Sequence, residues 1–131
     1  MKTTKRLYAV RGAVCCQNTV ASITQRVPEL YRKITEDNTI ESQHIVSVQF
    51  SVNPELTALN PATALRIKGL AQDVPLFCSA EPYIDGYLKN IIRILITYYG
   101  TSIPVPVYLY GAEMLRPDIL QGSLRNKSTH E

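Results

Sequence analysis

Arg93 is the charged residue that fits its surroundings least, because it lies within the apolar run of residues 91–96. An arginine stays protonated in proteins, so a guanidinium among hydrocarbon neighbours requires an anion, either an acidic side chain or a bound ligand. Four other groups lie on a predicted strand, at a strand end or in a loop: Arg11, Glu81, Tyr108 and Arg116. Several arginines with a single carboxylate suit a pocket for a small polyanion.

The usual devices of nucleophilic catalysis are missing from the sequence. It contains no Ser-His-Asp set, no histidine near a cysteine and no glycine-rich phosphate loop. The three cysteines and two histidines form no metal or disulfide framework, so we expect reduced thiols and neither metal nor cofactor. Taken singly, the candidate residues also have structural explanations: an ion pair of Arg116 with Asp118, a solvated loop carboxylate for Glu81 and packing for Tyr108.

Size and composition limit the class of protein. A chain of 131 residues fits one compact domain, and 45% apolar with 19% charged residues is an ordinary globular balance. A formal net charge of +3, spread along the chain, does not indicate nucleic-acid binding. Residues 1–6 are polar, and no apolar stretch approaches the ~20 residues of a membrane span. We therefore expect a cytoplasmic protein, with a domain over residues 1–120 and a loose polar tail at 121–131.

The first half of the chain predicts a strand, a long helix and a second strand. Residues 7–14 are apolar and partly β-branched, with Arg11 near the strand end and Gly12 marking a bend or a close approach. Apolar spacing predicts an amphipathic helix from the N-cap Thr19 to residues 37–38, kinked or broken at Pro28. Strict alternation over residues 44–52 predicts a half-buried strand.

The second half predicts a short helix capped by Asn60 and ending at Gly69, a strand at 74–78, and an edge strand at 105–110. Between these strands, a helix beginning near Asp85 is expected to carry Arg93 off its core stripe. Such an arginine is either an ordinary surface residue or one covered by a second partner such as another subunit. Alternating strands and helices predict a layered α/β or α+β sheet.

Five short segments follow one another along residues 7–120. They are Val10-Arg11-Gly12-Ala13; Asn60-Pro61-Ala62 leading to Arg66; Val74-Pro75 with Cys78 and Glu81; Gly86 with Leu88-Lys89 and Ile92-Arg93; and Val107-Tyr108-Leu109 with Leu115-Arg116-Pro117-Asp118. Their order and near-spacing resemble those of the monofunctional trimeric chorismate mutases. No single segment is decisive, but five ordered matches with one glutamate and four arginines argue against coincidence.

The resemblance implies an α+β fold of ferredoxin-like, chorismate-mutase-like type, in which helices pack a mixed β-sheet. Three copies form a homotrimeric pseudo-α/β barrel with active sites between subunits. The implied reaction converts chorismate to prephenate by an intramolecular Claisen rearrangement in aromatic amino-acid biosynthesis. It requires no cofactor, proton transfer or covalent intermediate.

The resemblance also implies residue roles. Arg93 is the cation at the ether oxygen, and Glu81 is the carboxylate near the ring hydroxyl. Arg11 and Tyr108 bind the side-chain carboxylate and hold the compact conformer. The other residues implied in substrate binding are Cys78 on the ring-hydroxyl side, Arg66 across the interface, Arg116 and Leu115 near the cleft, and Asn60, Thr63 and Phe77.

Three positions depart from the family pattern. Asn60 and Thr63 stand where a phenylalanine and a lysine are common, and Phe77 stands where a threonine commonly precedes the cysteine. These changes remove an apolar wall and a cation, which motivates an alternative function as a non-catalytic binder of an aromatic-pathway carboxylate. An imine or enamine deaminase on a similar trimeric scaffold is a further alternative, although it assigns no role to Glu81, Arg11 or Arg116. Nucleic-acid binding ranks below these functions.

Overall fold

Five β-strands and two α-helices form within residues 4–116, the part of the chain that the computed structural model describes. In chain order they are β1 (Arg6–Cys15), α1 (Val20–Asp37), β2 (Ile45–Val52), α2 (Pro61–Ile67), β3 (Leu76–Ala80), β4 (Ile91–Gly100) and β5 (Val107–Leu109). Single 3₁₀ turns lie at Ser42–His44 and Ala112–Leu115. The tail predicted at residues 121–131 lies outside the described residues.

The strands make one mixed sheet in the order β3-β2-β4-β1-β5. The central strand β4 runs antiparallel to both β1 and β2, whereas β3 and β5 pair in parallel at the two edges. A mixed sheet with helices confirms the predicted α+β class. The edge position predicted for the last strand is also confirmed, with Pro104 and Pro106 preceding its first paired residue.

Both helices begin as their capping residues predict. The Thr19 hydroxyl accepts a hydrogen bond from the Ser22 amide at 3.0 Å, and the Asn60 carboxamide oxygen accepts one from the Ala62 amide at 2.9 Å. Of the two outcomes predicted at Pro28, a kink or a break, the break is wrong, because α1 runs as one helix through that residue. The buried side chains on both sides of Pro28 pack into the same core: Ile23, Val27, Leu30 and Ile34. This packing outweighs the loss of one backbone donor.

The helix predicted from Asp85 is wrong, because residues 91–100 form strand β4 and residues 85–90 lie in the loop before it. The short apolar run 91–96 fits both periodicities. Its isoleucines, and the threonine and tyrosines that follow, favour the extended form. From Ile92 onward the buried residues alternate, so Arg93, Leu95 and Thr97 project from the opposite face of the sheet. Arg93 is off the core side, as expected, but on a strand.

The first strand is longer than predicted, and Arg11 lies within it rather than near its end. Gly12 marks a close approach and not a bend. A Cβ atom at Gly12 would lie 2.6 Å from Ile34 Cδ1 and 2.9 Å from the Val107 carbonyl oxygen, so β1 meets α1 and β5 at a distance that only glycine permits.

The alternation predicted for β2 holds over most of the strand but fails at its beginning. A register shift between Ile45 and Ser47 turns Val46 outward, where it is exposed, while Val48 and Phe50 remain in the core. Within the described residues, neither α-helix has the length and apolar character needed to cross a membrane.

Candidate active site

The sheet face opposite the helices carries a cavity of about 490 Å³, within the range of small-molecule sites, roughly 300–1,000 Å³. Six of the predicted site residues line it: Arg11, Glu81, Arg93, Tyr108, Leu115 and Arg116. The structure therefore brings together residues that lie as far as 105 positions apart in the chain.

The antiparallel pairing of β1 with β4 places the two central arginines on one face. Arg11 lies opposite Leu95 and Arg93 lies opposite Ala13, so the arginines are diagonal neighbours on the ladder. Tyr108 joins them because β5 pairs in parallel with β1, with Tyr108 beside Ala13. The sheet register alone thus sets the positions of these three side chains.

Glu81 reaches the same cavity from the end of β3. Its backbone amide donates a 2.8 Å hydrogen bond to the Val52 carbonyl, which continues the pairing with β2 one residue beyond Ala80. The carboxylate then lies across the sheet face from Arg93, with Oε1 3.6 Å from Nη1. Both side chains are partly exposed, so this long ion pair adds little stability.

Arg93 keeps much of its hydrogen-bonding capacity. Its Nη1 group contacts Glu81 and donates a long 3.4 Å hydrogen bond to the Asn53 carboxamide oxygen. Within residues 4–116, its Nε and Nη2 groups make no hydrogen bond, and Arg11 makes neither a hydrogen bond nor an ion pair. Two cationic groups therefore offer donors to an anion in the cavity.

The last part of the site comes from the 3₁₀ turn after β5. Ala112 is buried with Ala13 and Ile91, and Leu115 packs against this small cluster. The Arg116 amide then donates to the Glu113 carbonyl at 3.1 Å. With Arg116, the cavity lining has three guanidinium groups against one carboxylate, so its field attracts a small dianion.

Three polar lining residues were not predicted as site residues: Gln49, Ser51 and Ser79. The alternation of β2 already placed Gln49 and Ser51 on its polar face. The sequence did not predict the register of β2 with its neighbours. In that register, Ser51 pairs with Arg93 on β4 and with Ser79 on β3.

Five predicted site residues do not line the cavity: Asn60, Thr63, Arg66, Phe77 and Cys78. Cys78 pairs with the buried Phe50 and packs against the core on the helix side, where burial raises the pKa of its thiol. Phe77 projects on the cavity side of β3 but is 67% exposed. The position of the Cys78 side chain therefore does not support a substrate contact within this chain.

The remaining three belong to α2 and its N-cap, which pack with α1 on the other side of the sheet. The Arg66 guanidinium donates to the backbone carbonyls of Ala71, of Gln72 at 2.8 Å and of Val74 at 3.0 Å. Asn60 caps the helix, and Thr63 is exposed. Within a single chain, none of the three reaches the cavity.

The arrangement is suited to electrostatic catalysis on a bound dianion. Fixed guanidinium groups lie on one side of the cavity, a carboxylate lies near them, and apolar atoms of Ile94, Leu95 and Leu115 supply walls. No cluster of three or more His, Cys, Asp or Glu side chains that could hold a metal ion occurs in the described part of the chain. The fold and cavity thus define an α+β protein with a cationic cavity that suits a small anion.

The chain belongs to the type I chorismate mutases, which are isomerases of aromatic biosynthesis. The model of the family described as chorismate mutase type I matches residues 7–119. Chorismate mutase AroH of Bacillus subtilis (strain 168) is 35% identical over 118 residues, which cover 86% of this chain and 92% of the relative. The solved chorismate mutase from Clostridium thermocellum superposes with a TM-score of 0.77 at 31% identity, covering 82% of this chain and 98% of that one. These findings confirm the predicted family, fold and enzyme class.

Proposed function

We propose that the cavity is the site at which chorismate rearranges to prephenate, with Arg93 as the cation at the breaking bond. The observation that carries this proposal is the placement of Arg93 and Arg11 on one sheet face, with guanidinium donors not taken up by residues 4–116. The reaction is an isomerisation, so every atom of the substrate is retained. One C–O bond breaks while one C–C bond forms, and the electron pairs shift within a single molecule.

Electrostatic stabilisation supplies one part of the rate enhancement. As the ether bond stretches, negative charge collects on the ether oxygen and the enolpyruvyl fragment, and the ring becomes positive. A guanidinium held at that oxygen then stabilises the transition state more than the ground state. The family match favours this function over the deaminase alternative, which leaves Glu81 and Arg11 without roles.

Orientation supplies the rest. Arg11 and Tyr108 hold the side-chain carboxylate, which keeps the flexible substrate in the compact conformer that reacts. Glu81 accepts a hydrogen bond from the ring hydroxyl. Arg116 and Leu115 close one side of the cavity, and the excess of positive charge speeds the encounter with the dianion.

The enzyme is further proposed to be a homotrimer in which each cavity is completed by a neighbouring subunit. The exposed apolar residues of the cavity-side sheet face support this: Leu7, Phe77 and Tyr99. A neighbour would also bring a second copy of α2, and hence Arg66 and Thr63, to a cavity that they do not reach within their own chain. Light scattering coupled to size exclusion tests the trimer, and a monomer would end this part of the proposal. A cytoplasmic location stays a prediction.

The test of the reaction is prephenate formation by the purified protein. We expect turnover well above the uncatalysed rate, and we expect Arg93→Ala to lower kcat at least ~10²-fold, the scale of one lost oxyanion donor. Arg6→Ala is the matched control, since Arg6 begins the neighbouring strand β1 and lies outside the cavity. Near-normal turnover in a folded Arg93→Ala variant would reject the role of Arg93. Calorimetric binding of chorismate without turnover would instead identify a non-catalytic binder.

A further inference from the structure

Asn53 is the buried polar residue of the described chain, with a relative exposure of 1%. It follows the last residue of β2 and lies beside the cavity without lining it. A buried carboxamide requires hydrogen-bond partners for both its donor and its acceptor. The partners found here connect the catalytic arginine to the loop before β4.

Each polar group of Asn53 is engaged. The backbone amide donates to the Ile91 carbonyl at 3.2 Å, and the backbone carbonyl accepts from the Leu56 amide at 3.0 Å. The side-chain nitrogen donates to the Leu88 carbonyl at 2.6 Å, and Oδ1 accepts from Arg93 Nη1 at 3.4 Å. Since only the nitrogen of a carboxamide can donate to Leu88, this bond directs the oxygen toward Arg93.

We infer that Asn53 is a positioning residue, whose carboxamide orients the Arg93 guanidinium toward the reacting bond. The inference rests on the role proposed above for Arg93. An amide suits this task because it accepts a hydrogen bond from the guanidinium without neutralising it. A second carboxylate in this place would pair with Arg93 and reduce the positive charge offered to the substrate.

The same geometry explains why the contact can affect chemistry more than binding. Arg93 Nη1 contacts both Glu81 Oε1, at 3.6 Å, and Asn53 Oδ1, at 3.4 Å. Without Asn53, the Glu81 carboxylate is the remaining partner of that nitrogen, and the guanidinium is expected to move toward it. A displacement of this kind weakens an interaction that develops in the transition state, so kcat should fall more than KM rises.

The test is steady-state kinetics of Asn53→Ala with chorismate. We expect kcat to fall by about tenfold or more while KM changes by less than about threefold. The matched control is Tyr87→Phe. Tyr87 lies in the loop before β4, and this change removes its 2.9 Å hydrogen bond to Glu55 without touching Arg93. The control should retain kcat within about threefold, which separates positioning of Arg93 from anchoring of the loop.

Three outcomes would overturn the inference. The first is a folded Asn53→Ala variant with nearly normal kcat, and the second is a control that loses as much kcat as Asn53→Ala. If Asn53→Ala does not fold, Asn53→Ser, whose hydroxyl can still donate to the Leu88 carbonyl, is measured against the same criterion. If neither variant folds, Asn53 is structural and the inference fails. Near-normal turnover in Arg93→Ala would instead end the proposed function of Arg93 itself.

Discussion

Arg11 and Arg93 occupy diagonal positions of one antiparallel ladder, two residues out of register on adjacent strands. Both project from the side of the sheet that the helices do not cover. Diagonal Cα atoms in such a ladder lie roughly 7–8 Å apart, so the two guanidinium groups can contact different parts of one small substrate. The distance between the two Cα atoms is set by backbone hydrogen bonds and does not depend on a flexible loop.

Arg11→Ala is expected to weaken substrate capture. Losing a charge-assisted hydrogen bond to a carboxylate costs about 1.5–3 kcal/mol, which corresponds to a decrease in kcat/KM of about ten- to hundredfold. Most of the effect should appear in KM, because a carboxylate distant from the breaking bond is bound in the ground state and the transition state alike. Steady-state kinetics with Arg6→Ala as control provides the measurement. Unchanged KM in Arg11→Ala would exclude this contact.

Gly12→Ala is expected to destabilise the protein. The new methyl group would lie 2.6 Å from Ile34 Cδ1 and 2.9 Å from the Val107 carbonyl oxygen, and overpacking of this kind costs about 1–3 kcal/mol. Urea unfolding measures the loss. Adding Ile34→Val removes the nearer of the two atoms, so the double variant should be more stable than the sum of the single changes predicts. Simple additivity would show that the contact with Ile34 is not the cause.

Glu55 is expected to make stability depend on pH. Burial acts to raise the pKa of its carboxyl group, but hydrogen bonds from the Asn90 amide at 2.7 Å and the Tyr87 hydroxyl at 2.9 Å outweigh it, and the pKa lies below its ordinary value of 4.5. The folded protein therefore binds the proton less readily than the unfolded chain. The resulting stabilisation is present above about pH 4.5 and is lost as the pH falls through the folded-state pKa.

The measurement is the unfolding free energy of wild type and Glu55→Gln from neutral to acidic pH. We expect wild type to be the more stable protein at pH 7, and the difference to shrink below pH 4.5 as the carboxyl group becomes neutral. Glu36→Gln, at an exposed position of α1, is the matched control. A difference between wild type and Glu55→Gln that does not change with pH would contradict the assignment.

Much of the fold was predictable from local signals. Thr19 and Asn60 predict where their helices begin. A short polar side chain just before residues with helical apolar spacing accepts hydrogen bonds from the free backbone amides of the first turn. The run containing Arg93 was not predictable, because five apolar residues around one arginine fit a buried strand as well as a helix. Its pairing on both sides with β1 and β2 determines the strand, and such pairing depends on residues 40 or more positions away.

The candidate site was predictable only in part for the same reason. Arg11, Glu81 and Tyr108 could be chosen by residue type and resemblance, and the structure gathers them in one cavity. Asn53 carried no local signal, because its importance arises from the Leu88 carbonyl and the Arg93 guanidinium reaching it across the sheet. Residues on α2 lie away from the cavity in this chain, so the role predicted for them requires a neighbouring copy.

The central position of β4 makes local stability uneven around the cavity. Strands bonded on both sides are the last to lose their amide hydrogens to solvent, whereas edge strands open more readily. Arg93 lies on β4, which is hydrogen-bonded on both sides, and Glu81 follows the edge strand β3. Amide hydrogen exchange should therefore be slow in the strand that carries Arg93 and faster in the strand that leads to Glu81.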